Sequence, residues 1–278
     1  MGNHYVPQFY LRGFTTGNMI WVHDRLEGRT FASQPKTIAN ENDLYPDALE
    51  KHLANSIEDP AKAAIEKVRA RGILSEPERI ALAQYVVTLW KRVPEGRARV
   101  AARMPEVVAS VREELHTELS AAANQNPDLA SVAEARKAEV NNVLARYEQE
   151  SPPDIWQLSL QKHSSDNVVE SLLSMEWRFL HSNRLQFLTC DNPVFFFEHE
   201  GIGQPTSELT IPFSSSVALW ANRRPLPSTP CLDALPVAVR EINRRTAKNA
   251  TRFVYSMKQE PWILPFVQKT DYALNRLV

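Results

Sequence analysis

WRFLHSNRLQFLTCDNPVFFFEHEGIGQPTSELTIPFSSSVALWA, residues 177–221, is where the chain turns aromatic and β-branched. Trp177–Leu180, Leu185–Thr189, Val194–Phe197, Leu209–Phe213 and Val217–Ala221 read as strands. Ser182-Asn183 and the cluster from Gly201 to Pro205 supply turns, so a meander is the economical arrangement. In Glu198-His199-Glu200, strand alternation puts the two carboxylates on one face and His199 on the other. That run reads as an exposed hairpin flank, not a metal cluster.

Outward from this stretch, residues 4–45 mix β-like pieces with turns, Met19 to His23 being the most apolar. The middle of the chain is helical. From Asp47 onward, Asp59-Pro60 reads as an N-cap and first helical position with Gly72 suited to the end, which predicts two short helices. Ser75 and Glu78 form a capping-box pattern before Ile80, Leu82, Val86, Leu89, Trp90 and Val93, a helix apolar around most of its circumference. Pro94 and Pro105 are expected to kink or break the run, because each removes a backbone donor and crowds the preceding turn. Helical spacing over 106–121 and 129–148, with a loop from Asn124 to Asp128, predicts an antiparallel hairpin.

Residues 106–150 thus read as a helical-hairpin insertion in a single domain spanning 1–278. Beyond Pro153 a helical stretch runs toward Leu173. A last helix near 236–250 precedes a strand at Arg252–Tyr255, and Trp262–Val267 is a further strand candidate. The fold class is α+β, a mostly antiparallel sheet built from N- and C-terminal segments and capped by the central helical region.

Lys plus Arg (32) and Asp plus Glu (33) nearly cancel, which removes the overall electrostatic argument for nucleic acid and leaves only local basic patches. Hydrophobic residues at 43% and charged residues at 23% exclude a wholly disordered or fibrous chain. Two cysteines, Cys190 and Cys231, at non-motif spacing fit a reducing cytoplasm, and the N-terminus has no basic segment followed by an apolar run. No stretch approaches the roughly 18 uninterrupted apolar residues a membrane helix needs. A phosphate-cradling glycine loop, a G-x-S-x-G elbow and an H-E-x-x-H helix are all absent.

Two segments concentrate chemistry. In HYVPQFYLRGF (4–14), Pro7 starts a short helix that sets Gln8, Leu11 and Arg12 at i, i+3 and i+4, close to His4 and Tyr5. A histidine with an ordinary pKa near 6.5 suits proton transfer, and Arg12 suits an anion. In LTCDNPV (188–194), Asn192 precedes proline and is biased to extended backbone, presenting Asp191 at a strand end as a base, a metal ligand or the partner that orients His4. Structural readings stand beside both: His4 and Gln8 capping buried backbone, and Asp191 closing its own turn. Arg92 lies in the polar stripe Gln84, Thr88, Arg92, Glu95 and Arg99, which is either a solvated face or a phosphate surface. Asn243 sits beside the apolar stripe of the last helix, where an inward amide needs partners.

These residues also carry a resemblance. The 4–14 run, Asp43-Leu44-Tyr45, Glu58, Arg92-Val93-Pro94 and Asp191-Asn192-Pro193-Val194 resemble, in that order, the domain of unknown function 4238 family. Cys190 stands where that family usually has serine. The resemblance implies an intracellular microbial protein of the same fold and carries over no activity. Two functions remain open. One is a hydrolase of a phosphodiester or nucleotide, with His4, Gln8 and Asp191 catalytic and Tyr5, Arg12, Glu58, Arg92, Asn192 and Asn243 holding substrate. A divalent metal is allowed, its ligands unknown. The other is a non-catalytic module binding a small anionic ligand, or a protein partner through the helical hairpin; no membrane is implied.

Overall fold

The computed structural model describes residues 2–149, 153–161, 166–197, 201–225, 229–269 and 271–277. Glu198, His199 and Glu200 lie outside them. The chain divides into two compact units, residues 1–95 with 160–278, and residues 96–159. β1 (Gly2–His4), α1 (Gln8–Leu11), β2 (Ile20–Asp24), β3 (Arg29–Ser33) and β4 (Asn40–Asn42) come first, then α2 (Asp47–His52), α3 (Asp59–Arg69) and α4 (Glu76–Arg92). The second unit holds all of α6 (Ala130–Gln149) and most of α5 (Pro94–Gln125) and α7 (Pro153–Gln161). The chain returns through α8 (Asp166–Leu173), β5 (Glu176–His181), β6 (Thr189–Cys190), β7 (Phe195–Phe196), β8 (Glu208–Ser214), β9 (Val217–Asn222), β10 (Cys231–Asp233), α9 (Pro236–Asn249), β11 (Phe253–Ser256) and α10 (Ile263–Gln268).

The architecture is α+β, but among the described residues the strands fall into three sheets instead of one. β1 pairs with β4; a five-stranded sheet runs β10-β5-β9-β8-β7; a four-stranded sheet runs β3-β2-β11-β6. Among the described residues, all pairings are antiparallel except β10 with β5. N- and C-terminal strands do meet, in the four-stranded sheet. The expected meander holds for β7, β8 and β9 but not for the 185–189 segment, which contributes only β6, and to the other sheet. The cause is a side chain: Asn243 accepts from the Leu188 N–H at 2.9 Å and donates to the Gln186 carbonyl at 3.0 Å. The amide takes the place of a neighbouring strand, so the ladder stops there.

α9 ties the two larger sheets together. Val239 and Ile242 pack with Leu180, Phe187, Ala218 and Trp220, while Ala247 packs with Leu188, Cys190, Val254, Ile263 and Val267. Burying a side chain such as Phe187 or Ile263 fully contributes about 1.5–3 kcal/mol. The segment 262–267 read as a strand is the helix α10. Its Pro265 falls in the first turn, where no N–H is required for an intrahelical bond.

Among the helices, the boundary expected at Asp59-Pro60 is absent. Leu53–Glu58 is π-helical, so one helix runs unbroken from Asp47 to Arg69. Pro60 has no N–H to give, and the wider turn before it is the local adjustment that lets a helix pass a proline. The helix ends in a Schellman arrangement, with Arg71 at φ 60° and the Gly72 N–H on the Lys67 carbonyl at 2.7 Å. A Cβ on Gly72 would lie 2.6 Å from Lys67 Cγ, so only glycine closes this turn. At the start of α4, Glu78 accepts from the Ser75 N–H at 2.7 Å and from Lys67 Nζ at 2.7 Å. Lys67 first, then Ser75, hold the Glu78 carboxyl down at about 2. Pro94 does break the run, with Val93 extended between α4 and α5, whereas Pro105 lies inside a helix that continues through it.

In the second unit, α5 and α6 are joined by a single turn at Pro127–Leu129 and linked by Arg112 to Glu148 at 2.7 Å. Among the described residues, no helix is long and apolar enough to cross a membrane.

Candidate functional site

The N-terminal motif is pinned from both sides. His4 lies opposite Asn40 in the β1–β4 pair, and the Tyr5 N–H bonds the Ala39 carbonyl at 3.0 Å. Pro7, extended, then starts α1. Tyr10 is fully buried and donates to the Pro212 carbonyl at 2.6 Å, with Thr189 Oγ1 at 2.7 Å. Gly13 admits Arg69 and the Phe213 carbonyl, which would lie 2.3 and 2.5 Å from any added Cβ. Gln8 is half-buried and Arg12 exposed.

Behind His4 stands a buried cation. Arg92, 2% exposed, donates through Nη2 to the His4 carbonyl and the Tyr45 hydroxyl, each at 2.5 Å, and through Nη1 to Glu58. The Tyr45 hydroxyl in turn donates to the His4 carbonyl at 3.1 Å. Burial opposes the Arg92 charge, but Tyr45 and Glu58 more than offset it and keep the guanidinium protonated. Burial likewise pushes the Tyr45 phenol up to about 12. This network fixes the backbone that carries His4.

The His4 ring itself is half-buried. Burial lowers its pKa below 6.5, the Pro35 and Lys36 carbonyls and the Glu50 carboxylate pull the other way, and the imidazole is neutral at pH 7. Its Nε2 and the Glu50 Oε2 are both buried, and neither has a hydrogen-bond partner within the protein. A neutral imidazole beside a carboxylate, with one nitrogen uncommitted, has the composition of a proton-transfer pair.

Asp191 sits differently. It is 5% exposed, and its two oxygens accept from the backbone N–H groups of Thr251 (2.8 Å), Arg252 (2.7 Å) and Phe253 (2.9 Å). Burial raises its pKa, and these three donors offset only part of the rise. The carboxylate thus closes the entry to β11, about 60 residues along the chain. Its charge also acts on Tyr5, whose phenol burial already pushes up. Asn192 donates to the Asn249 carbonyl at 3.2 Å, and Asn249 returns bonds to Asn192 and Val194. The 190–194 turn is therefore sewn to the end of α9.

Of the residues singled out in the sequence, His4, Glu58 and Arg92 come together through the His4 carbonyl, and Tyr5 comes within electrostatic reach of Asp191. Asn243 serves the 186–188 backbone. Sequence reasoning passed over Glu50. Its sole signal was proximity to the Asp43-Leu44-Tyr45 pattern. It also missed Arg245, which is fully buried against Glu208 and lies over the Phe195 and Phe197 rings at 5.3 and 5.2 Å. Among the described residues, no group of three or more His, Cys, Asp or Glu side chains is arranged to hold a metal ion.

A family model described as a protein of unknown function (DUF4238) matches residues 3–260. No curated protein and no solved structure matches the chain.

Proposed function

Since the chain belongs to the DUF4238 family, whose description assigns no activity, its function has to be read from its own geometry, and we propose a hydrolase whose proton-transfer pair is His4 with Glu50. The observation that carries this is the pair of uncommitted buried atoms, His4 Nε2 and Glu50 Oε2, on a backbone held by Arg92, Tyr45 and Glu58. Buried polar atoms are ordinarily satisfied internally, and one that is not needs a partner from outside the chain, a water, an ion or a substrate. In this reading His4 is the general base, Glu50 favours the imidazolium that forms, and exposed Arg12, one turn beyond Gln8, meets an anionic oxygen. A phosphodiester or nucleotide is the substrate class such a set serves. Asp191 and Arg92 act only by holding the fold. A reducing cytoplasm suits the two free cysteines, Cys190 and Cys231.

The test is turnover of bis(p-nitrophenyl) phosphate and of nucleotide substrates, with and without divalent metals. His4→Gln and Glu50→Gln should each lose about 100-fold or more with unchanged far-UV circular dichroism. Activity in His4→Gln equal to that of the unaltered protein would sink the reading.

The non-catalytic alternative draws on a separate observation. In the second unit Val107, Val132 and Val143 are about half exposed (50%, 53% and 48%), and a groove of 630 Å³ is lined by Arg112, His116 and Lys137 among others. Exposed apolar residues of this kind suit a protein partner. Loss of an interaction on Val132→Asp, with no hydrolysis by any form, is the outcome that would favour it.

A further inference from the structure

A second site, independent of the reading above, lies at the end of β5. There a cavity of 330 Å³ is lined by His181, Ser182, Arg184, Asp233 and Pro236, among others. His181 is 6% exposed, and its Nε2 has no hydrogen-bond partner within the protein. A buried imidazole nitrogen that no protein group satisfies, on a residue lining a cavity, calls for a partner from outside the chain. Pro236 is the first residue of α9, a helix of 14 residues, so the positive end of that helix dipole meets the same cavity. The one carboxylate in the lining, Asp233, is ion-paired with Arg71, which leaves Arg184 as the net charge at the rim. Burial first, then Arg71, lower the His181 pKa, with Asp233 opposing, so the ring is neutral, and in its Nε2–H tautomer it donates from Nε2.

We propose that this cavity binds the phosphate group of a small molecule. An imidazole, a guanidinium and a helix N-terminus line one hollow, and its volume is at the small end of ligand sites, which suits a compact anion and not a polymer.

The experiment titrates inorganic phosphate into the full chain at constant ionic strength, following the His181 imidazole by ¹H–¹⁵N correlation and identifying it by its absence in His181→Gln. A saturable shift is expected, weakened about tenfold in Arg184→Gln and unaltered in His4→Gln, so the two sites fail or succeed separately. Arg184 is exposed, so its replacement leaves folding intact. No saturable shift, a shift reproduced by chloride alone, or one indifferent to Arg184→Gln would overturn the proposal.

Discussion

Asp191 and Glu50 are both carboxylates in segments that resemble family motifs or lie beside them, yet the fold uses them in opposite ways. Asp191 is closed: three backbone amides fill its oxygens, and the residues on either side of it are bound to α9 or buried. Glu50 is open: one oxygen is buried without a partner beside an imidazole in the same condition. An aspartate at a strand end before Asn-Pro looks like chemistry in a sequence, but a chain reversal needs its amides satisfied just as much. Which use prevails depends on whether backbone N–H groups reach the carboxylate first.

The largest effect that could break this contrast is expected at Asp191. Asp191→Ala leaves three part-buried backbone N–H groups without their acceptor, and with each costing about 1–2 kcal/mol the loss should be roughly 3–6 kcal/mol, measured as a fall in the urea midpoint. A loss under about 1 kcal/mol would mean the carboxylate is not structural. Next comes Arg92→Met, which leaves Glu58 without its cation and the His4 carbonyl without its strongest donor. It should cost about 3–5 kcal/mol by the same measurement.

A smaller effect is set by pH. His23 is buried between Thr30 and Ser256, and burial depresses its pKa to about 4. The folded value lies below the unfolded value of about 6.5, so this contribution is complete above pH 6.5 and is lost as pH falls toward 4. It amounts to about 3 kcal/mol. Denaturation midpoints at pH 7 and pH 4.5 should show the loss, and His23→Gln should flatten that part of the profile. The smallest effect sharpens the contrast from the other side: His4→Gln, at a half-buried ring without a side-chain partner, should change stability by less than about 1 kcal/mol.

Much of the fold was legible because local signals and tertiary demands agreed. Trp177–Leu180, Leu209–Phe213 and Val217–Ala221 became β5, β8 and β9, and the Ser75–Glu78 cap formed. Where a distant group intervened, the reading failed. Asn243 replaced a strand at 186–188, a π turn carried the helix past Pro60, and Trp262–Val267 wound into α10. Apolar runs that short fit a buried helix as well as a strand. The proposed site was legible only in part: HYVPQFYLRGF pointed to His4, but the companion proposed for it, Glu50, is an ordinary-looking helical glutamate that only burial without a partner sets apart.

The claim that His4 is coupled to Glu50, with Asp191 structural, is tested most directly by NMR titration of the His4 imidazole in three proteins. The unaltered chain should titrate below 6.5. Glu50→Gln should lower the value further, because a carboxylate that favours the imidazolium is gone, while Asp191→Asn should leave it in place. A His4 pKa that ignores Glu50→Gln and falls with a folded Asp191→Asn would contradict the account.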